Sequence, residues 1–308
     1  MLKLRNALIY GGHGWIFAPR GYLLLDHCIS AGSHESMRGH VKVPRFLPKG
    51  KRLKGVTLSI ASDWGPHYGH WLVESLPRLD LFRKAGFKLD DVDHIICSKP
   101  SSGTPEKLFS QFNIPIEKCI WIDPNDRDTA YRPDTLLAPS FPRAYQYPLP
   151  WAATFLQNEF LPPPRAIPTR RLFLSRKDYR GRNPVNADNV DQILARHGFE
   201  SFNPESHPAS YQVFSEAAVV VGATGSALSG IVFCQRGTKI LELMPTDMPY
   251  SLSSTLADAA GLEYGTLICN STHLRSSVYD GTPSYHDFYV NEDEFDRALT
   301  RITGELKC

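Results

Sequence analysis

Long apolar runs are missing from this chain of 308 residues: no window approaches the roughly 18 uninterrupted apolar positions that a membrane-spanning helix requires. The opening stretch, MLKLRNALIYGGHGWIF, also lacks an apolar core followed by a small-residue cleavage site, so no secretory leader is read there. Excess charge of one sign is absent too, since 34 basic and 32 acidic residues leave a formal +2. That balance excludes nucleic-acid binding by bulk electrostatics and confines any anion recognition to a local site. The six cysteines, Cys28, Cys97, Cys119, Cys234, Cys269 and Cys308, form no C-x-x-C pair, so neither a zinc site nor a disulfide framework is signalled. The expectation is a cytoplasmic protein without a bound metal, with room for peripheral contact at the inner face of a membrane.

What the chain does contain is enough to fold. Hydrophobic residues make up 42% and charged residues 21%, close to globular averages, and the length exceeds one usual core. Two domains are expected, 1–150 and 151–308, with the last helix free to return to the first. The Pro-dense stretches PSFPRAYQYPLP and LPPPRAIP, around WAATFLQNEF, mark the linker. Residues 1–60 carry short runs, LRNALIYGG, GWIF, GYLLLDHCIS and KGVTLSIAS, that predict an antiparallel start; Gly11-Gly12-His13-Gly14 suits a hairpin turn. From Tyr68 to Ala85 the apolar spacing turns helical, and Pro77 predicts a kink or two short helices.

Strands HIICS (94–98), CIWID (119–123) and TLLAPS (135–140), with a helix TPEKLFSQFNI (104–114), then indicate a parallel sheet covered by helices. The second half alternates more plainly. Strands are expected at 171–176, 199–204, 218–223 and 238–245, and helices at 186–198, 210–217 and 226–234, followed by SLSSTLADAAG and a final helix at 292–306. This is the order of a doubly wound nucleotide-binding domain, with ligands at the carboxyl ends of the strands. The fold class is therefore α/β.

Most polar residues of interest in the second half follow a predicted strand: Ser175 and Arg176, then Glu205, then Thr224, Gly225, Ser226 and Ala227, with Glu242 inside the fourth. The Gly222–Ser226 turn would offer backbone N–H groups and a helix N-terminus to a diphosphate, although a tight strand-to-helix turn needs glycine on steric grounds alone. Arg176 supplies a fork suited to phosphate oxygens, against the commoner fate of a solvated arginine among Arg170, Arg171, Lys177, Arg180 and Arg182. Glu205 and Glu242 could hold hydroxyls of a base or ribose; an ion pair of Glu242 with Lys239 or Arg236 is the plainer reading. In the first half His70 and Glu74 lie four apart, on one helix face, where one could take a proton while the other orients it. A buried histidine satisfied by its neighbour explains the same spacing. Asp91-Val92-Asp93 fits a metal-binding Asp-x-Asp pattern but lacks supporting context, and Asn270-Ser271-Thr272 is a glycosylation sequon with no role in a cytoplasmic protein.

Two blocks together resemble glycosyltransferase family 61, including its bacterial capsular-polysaccharide members. One is HYGHWLVESLPRL (67–79); the other is RRLFLSRKDYRGRNPVN (170–186) with FNPES and YQVFSEAAVVVGATGSALSGIVFCQRGTKILEL beyond it (202–243). The resemblance implies a GT-B-like fold, two Rossmann-like domains after a short β-rich segment, with the donor held by the C-terminal and the acceptor by the N-terminal domain. It further implies inverting, metal-independent transfer from a nucleotide sugar to a saccharide or lipid-linked saccharide hydroxyl, without a cofactor. By position, His70 and Glu74 become catalytic, and Arg176, Arg182, Glu205, the Thr224–Leu228 turn and Glu242 become donor ligands. The chain departs from the family pattern at Thr224, where a histidine is usual, and at His67, usually asparagine, which adds a second histidine beside His70. A pyruvyltransferase-like enzyme and a non-catalytic saccharide-binding subunit are the competing readings.

Overall fold

The computed structural model describes residues 1–27, 46–99, 114–126, 128–144, 147–161, 167–177, 179–207, 209–273 and 285–304. Two compact units divide the chain, Met1–Glu159 and Phe160–Cys308, each with its own mixed α/β sheet. The predicted helix 104–114 lies outside the described residues except for Ile114.

The first unit starts with β1 (Leu2–Arg5), β2 (Leu8–Tyr10) and β3 (Trp15–Phe17). β2 and β3 form an antiparallel hairpin across Gly11–Gly14, and both β1 and β2 pair antiparallel with β7 (Ala130–Ala138). GYLLLDHCIS does not form the expected strand where it is described: Leu23 makes an isolated bridge to Phe17 and Leu25–His27 is a 3-10 turn. β4 (Lys51–Ser59), β5 (His94–Ser98) and β6 (Cys119–Ile122) run parallel, and β7 returns parallel to β4, giving the order β3-β2-β7-β4-β5-β6.

Between β4 and β5 the chain crosses over as a broken helix. α1 (Tyr68–His70) widens into a π-helical turn, Trp71–Ser75, and α2 (Arg78–Lys84) begins after Pro77. Proline lacks the N–H that would continue the α-helical ladder, and its ring crowds the preceding carbonyl, so the turn before it opens to the Leu76 N–H···Trp71 O bond. A short antiparallel pair, β8 (Arg143–Ala144) and β9 (Tyr147–Pro148), and a helix α3 (Pro150–Phe160) occupy the stretch read as linker. Asp91 and Asp93 serve the backbone, accepting the N–H groups of Lys88 and Val56 at 2.9 and 2.7 Å.

In the second unit β10 (Arg170–Leu174), β11 (Glu200–Phe202), β12 (Ala217–Ala223), β13 (Lys239–Pro245) and β14 (Glu263–Ser271) are parallel, in the order β11-β10-β12-β13-β14, and β15 (Phe288–Tyr289) closes the edge antiparallel. β12 is buried at every position, as its run of valines requires of a central strand. α4 (Ala187–Arg196) buries Val190, Ile193 and Leu194 and ends at Gly198, whose φ of 70° suits a left-handed cap. α5 (Ser210–Ser215) precedes β12, a 3-10 helix (Ser226–Phe233) replaces the expected α-helix after it, and α6 (Leu252–Ala260) leads into β14. The final α7 (Glu292–Gly304) lays Phe295 and Leu299 into a core shared with Phe173, Val219 and Leu241. Among the described residues no helix is long and apolar enough to cross a membrane.

Candidate functional site

In each unit the strand order reverses at one place, and chain leaving adjacent strands in opposite directions opens a crevice at their carboxyl ends. In the first unit that place is β4 against β7. Arg78 ties the two strand ends together there. Its side chain is fully buried, with Nη1 donating to the Ala61 carbonyl at 2.7 Å and Nε and Nη2 to the Pro139 carbonyl at 3.1 and 2.8 Å. One guanidinium thus fastens the crossover helix to the ends of both strands.

Eight residues before Arg78, His70 Nδ1 lies 2.7 Å from Glu74 Oε1. The carboxylate is completely buried whereas the imidazole side chain keeps 18% of its surface. Burial therefore separates the roles that spacing left open: the histidine can meet a solute, and the glutamate fixes its ring and favours the Nδ1–H tautomer. Trp64 and the exposed His67 stand beside this pair.

The second unit has the strand order 2-1-3-4-5, with its reversal between β10 and β12. Ser175 and Arg176 leave β10 there, and Thr224 and Gly225 leave β12. Gly225 has an extended φ of 163°, so its backbone conformation does not demand glycine; space does, because a Cβ would lie 2.6 Å from Arg176 Nη1 and 3.5 Å from Arg182 Nη1. Two guanidinium groups thus converge on the residue that precedes the 3-10 helix. Arg182 donates to the Thr224 carbonyl at 2.9 Å and sits over the Tyr285 ring, 5.6 Å from its centre. Its φ of 57° is rare for a non-glycine residue. Neighbouring Gly181 has a φ of 74° and lets the Tyr285 carbonyl approach to within 1.8 Å of where a Cβ would be.

Arg176 packs against Tyr179 with its guanidinium 5.5 Å from the ring centre, and its Nε is buried without a hydrogen-bond partner among the described residues. Burial and then the charge of Arg182 push its pKa down to about 10, which leaves it charged at neutral pH but poorly compensated. Three other basic residues of the cluster are engaged elsewhere: Arg170 with Glu200 and Glu216, Arg171 with the His197 carbonyl, Lys177 with Asp191. A cleft of about 220 Å³ is lined by Arg176 together with Phe173, Val190, Ser175 and Asp191.

Glu205 stands near Arg176, its carboxyl raised by burial against the lowering influence of Tyr179 and Arg176. Glu242 does not pair with Lys239 or Arg236. It is fully buried on β13 and accepts the Tyr264 hydroxyl at 2.5 Å on Oε2. Burial pushes its pKa up, and the nearby Thr224, Tyr264 and Ser253 hydroxyls hold it partly down. Thr224 is itself fully buried, and among the described residues neither its Oγ1 nor Glu242 Oε1 has a hydrogen bond of good geometry. Ser226 and Ala227 open the 3-10 helix.

The structure therefore joins Arg176, Arg182, Thr224, Gly225 and Glu242 through direct neighbours and sets Glu205 against Arg176. Ser175 lines the adjoining cleft. Sequence reasoning missed Tyr264, which lies on the unread strand β14, and Tyr285, which sits about a hundred positions from the arginine it covers. A cluster at the ends of β13 and β14 was also unread: Asp247, buried, accepts from Ser271 Oγ and lies 2.9 Å from His286 Nδ1. No group of three or more His, Cys, Asp or Glu arranged to hold a metal occurs among the described residues.

A search of curated proteins gives no match to the chain. The family described as Glycosyltransferase 61 matches residues 68–241, which begin at the helix bearing His70 and end on the strand bearing Glu242. With more than half of its length inside that match, the chain belongs to the glycosyltransferase 61 family.

Proposed function

We propose that the protein is an inverting glycosyltransferase of the GT-B type that moves a sugar from a nucleotide-sugar donor to a saccharide hydroxyl, in polysaccharide or glycoconjugate synthesis such as capsule assembly. The donor belongs to the second unit and the acceptor to the first. One observation carries this reading: Arg176, whose buried Nε lacks a hydrogen-bond partner among the described residues, and Arg182 converge on Gly225 at the switch point of a doubly wound sheet. Two adjacent guanidinium groups oppose each other until a dianion joins them, and a nucleoside diphosphate has the charge and the oxygens to do so. They also supply the leaving-group stabilisation that a divalent cation gives other transferases, which makes the reaction metal-independent in this reading.

His70 acts as the base, accepting the proton of the acceptor hydroxyl as that oxygen attacks the anomeric carbon and the carbon–phosphate oxygen bond breaks. Glu74, buried behind it, orients the imidazole and stabilises the imidazolium that forms. Attack opposite the leaving diphosphate inverts the anomeric centre. Glu205 and Glu242 hold donor hydroxyls. The enzyme works in the cytoplasm at the inner membrane face, where lipid-linked acceptors are presented.

A thermal-shift panel of UDP, GDP, ADP, CMP and phosphoenolpyruvate tests the reading. One nucleoside diphosphate should raise the melting temperature and lose that effect in Arg176→Ala. Stabilisation by phosphoenolpyruvate alone, or by none of the panel, would overturn it.

A further inference from the structure

The loop from β4 to α1 is pinned on both flanks. Ser62 donates its N–H to Ser98 Oγ at 3.2 Å and receives the Ser98 hydroxyl at its carbonyl at 3.0 Å. Gly65 packs so closely on Ser98 that a Cβ would lie 2.3 Å from its Oγ. On the other side Asp63 accepts the Trp15 indole N–H at 3.1 Å and faces His13 Nδ1 at 3.2 Å. Between these anchors Trp64 is left 42% exposed. Its ring centre lies 5.9 Å from both His67 and His70, tilted by 30° and 31° to them.

Holding a large apolar ring in water is unfavourable, and a fixed loop cannot relieve the exposure by collapse. The arrangement is stabilised if a ligand covers the indole face. A ring with a negative π-face attracts polarised C–H bonds, and the imidazoles alongside offer hydrogen bonds at the rim. A pyranose has both features: axial C–H bonds on one face and hydroxyls around its edge.

We propose that Trp64 is a stacking platform for the acceptor, a pyranose that lays its C–H face on the indole and turns its hydroxyl edge to His67 and His70. The ligand's role as acceptor rests on the glycosyl-transfer reading above; the saccharide site rests on the geometry of the loop. Stacking sets which hydroxyl reaches His70, so Trp64 governs acceptor choice and linkage without touching the donor.

The test uses the full chain labelled with nitrogen-15, whose five tryptophans each give an indole N–H signal; Trp64 is assigned by its loss in Trp64→Phe. Methyl β-glucopyranoside, methyl β-galactopyranoside and methyl β-xylopyranoside are titrated to their solubility limits, with acyclic sorbitol as control. At least one pyranoside should move the Trp64 signal saturably while sorbitol does not. By saturation-transfer titration, Trp64→Ala should weaken that pyranoside about tenfold and Trp64→Phe only about threefold, with thermal stability kept. Failure of every pyranoside to move Trp64, or equal affinity in Trp64→Ala, overturns the platform. The nucleotide panel separates the two ideas. Nucleotide binding without a pyranoside response sinks the platform alone, whereas a Trp64 response without nucleotide binding sinks the transferase reading and leaves a saccharide-binding site.

Discussion

The arginines at the two crevices are used in opposite ways. Arg78 in the first unit is wholly buried and spends its donors on the Ala61 and Pro139 carbonyls. Arg176 in the second is set beside Arg182, stacks on Tyr179, and keeps a buried Nε without a partner among the described residues. A guanidinium satisfied by backbone oxygens is a fastener. One buried beside a like charge is destabilised by it, and an anion would relieve that. The buried carboxylates differ in the partner they meet: Glu74 faces the His70 imidazole, whereas Glu242 is held by hydroxyl groups, with Tyr264 donating to it.

The contrast is tested most strongly where chemistry is assigned to the first unit and binding to the second. His70→Ala should lower kcat by about 10³-fold, within the range for removing a general base, and leave nucleotide affinity unchanged. Glu74→Gln should lower kcat by about 10²-fold, because an amide orients the ring without stabilising the imidazolium. Steady-state kinetics with a nucleotide-binding assay would check both, and a loss of nucleotide affinity in either variant would break the division of labour. Next in size, Arg78→Met should cost about 3 kcal/mol of stability by urea unfolding, since it strands two buried carbonyls at roughly 1–3 kcal/mol each.

Arg176→Gln is the matching change in the second unit, and its outcome should differ in kind. It removes the repulsion from Arg182 together with the attraction to Glu205, so the empty protein should change little in stability. Nucleotide affinity should fall about tenfold to a hundredfold, as for loss of a charge-assisted bidentate contact. If Arg176→Gln destabilised the empty protein as much as Arg78→Met, the two arginines would be doing the same job and the anion site would lose its main support. Gly225→Ala sharpens the point from the other side, because its methyl group would meet Arg176 Nη1 at 2.6 Å. It should displace the guanidinium and weaken nucleotide binding about tenfold with little loss of stability.

How much of this was legible in the sequence depends on distance along the chain. The α/β alternation of the second unit could be read because each strand and helix is specified by its own few residues; Val219, Val220 and Val221 declare a buried strand without help. Ser175, Arg176, Thr224 and Gly225 were legible because a parallel sheet puts all strand ends on one edge. The strand Glu263–Ser271 was not, because its outward positions are polar and Gly265 interrupts it. Tyr285 over Arg182 and Tyr264 on Glu242 are pairings across the fold, invisible to periodicity. The same holds for Trp64: an exposed tryptophan announces itself only when the loop around it is seen to be fixed. Only burial separates His70 from Glu74, which helical spacing cannot do.

The smallest expected effect concerns pH. Burial raises the Glu242 carboxyl above its ordinary value, and the neighbouring hydroxyls of Thr224, Tyr264 and Ser253 only partly offset this. A group whose folded pKa is raised binds its proton more tightly in the folded protein. Its contribution is fully favourable below the unfolded value of about 4.3 and is lost as pH rises through the raised one. Glu242→Gln removes that loss while an amide oxygen still accepts the Tyr264 hydroxyl. The variant and the parent should therefore have nearly equal melting temperatures at pH 4, with the variant gaining on the parent as pH rises. A constant gap across pH 4 to 8 would mean that Glu242 does not titrate in this range. If the gain appears together with weaker nucleotide binding, the buried carboxylate is held at a cost to stability because the donor uses it.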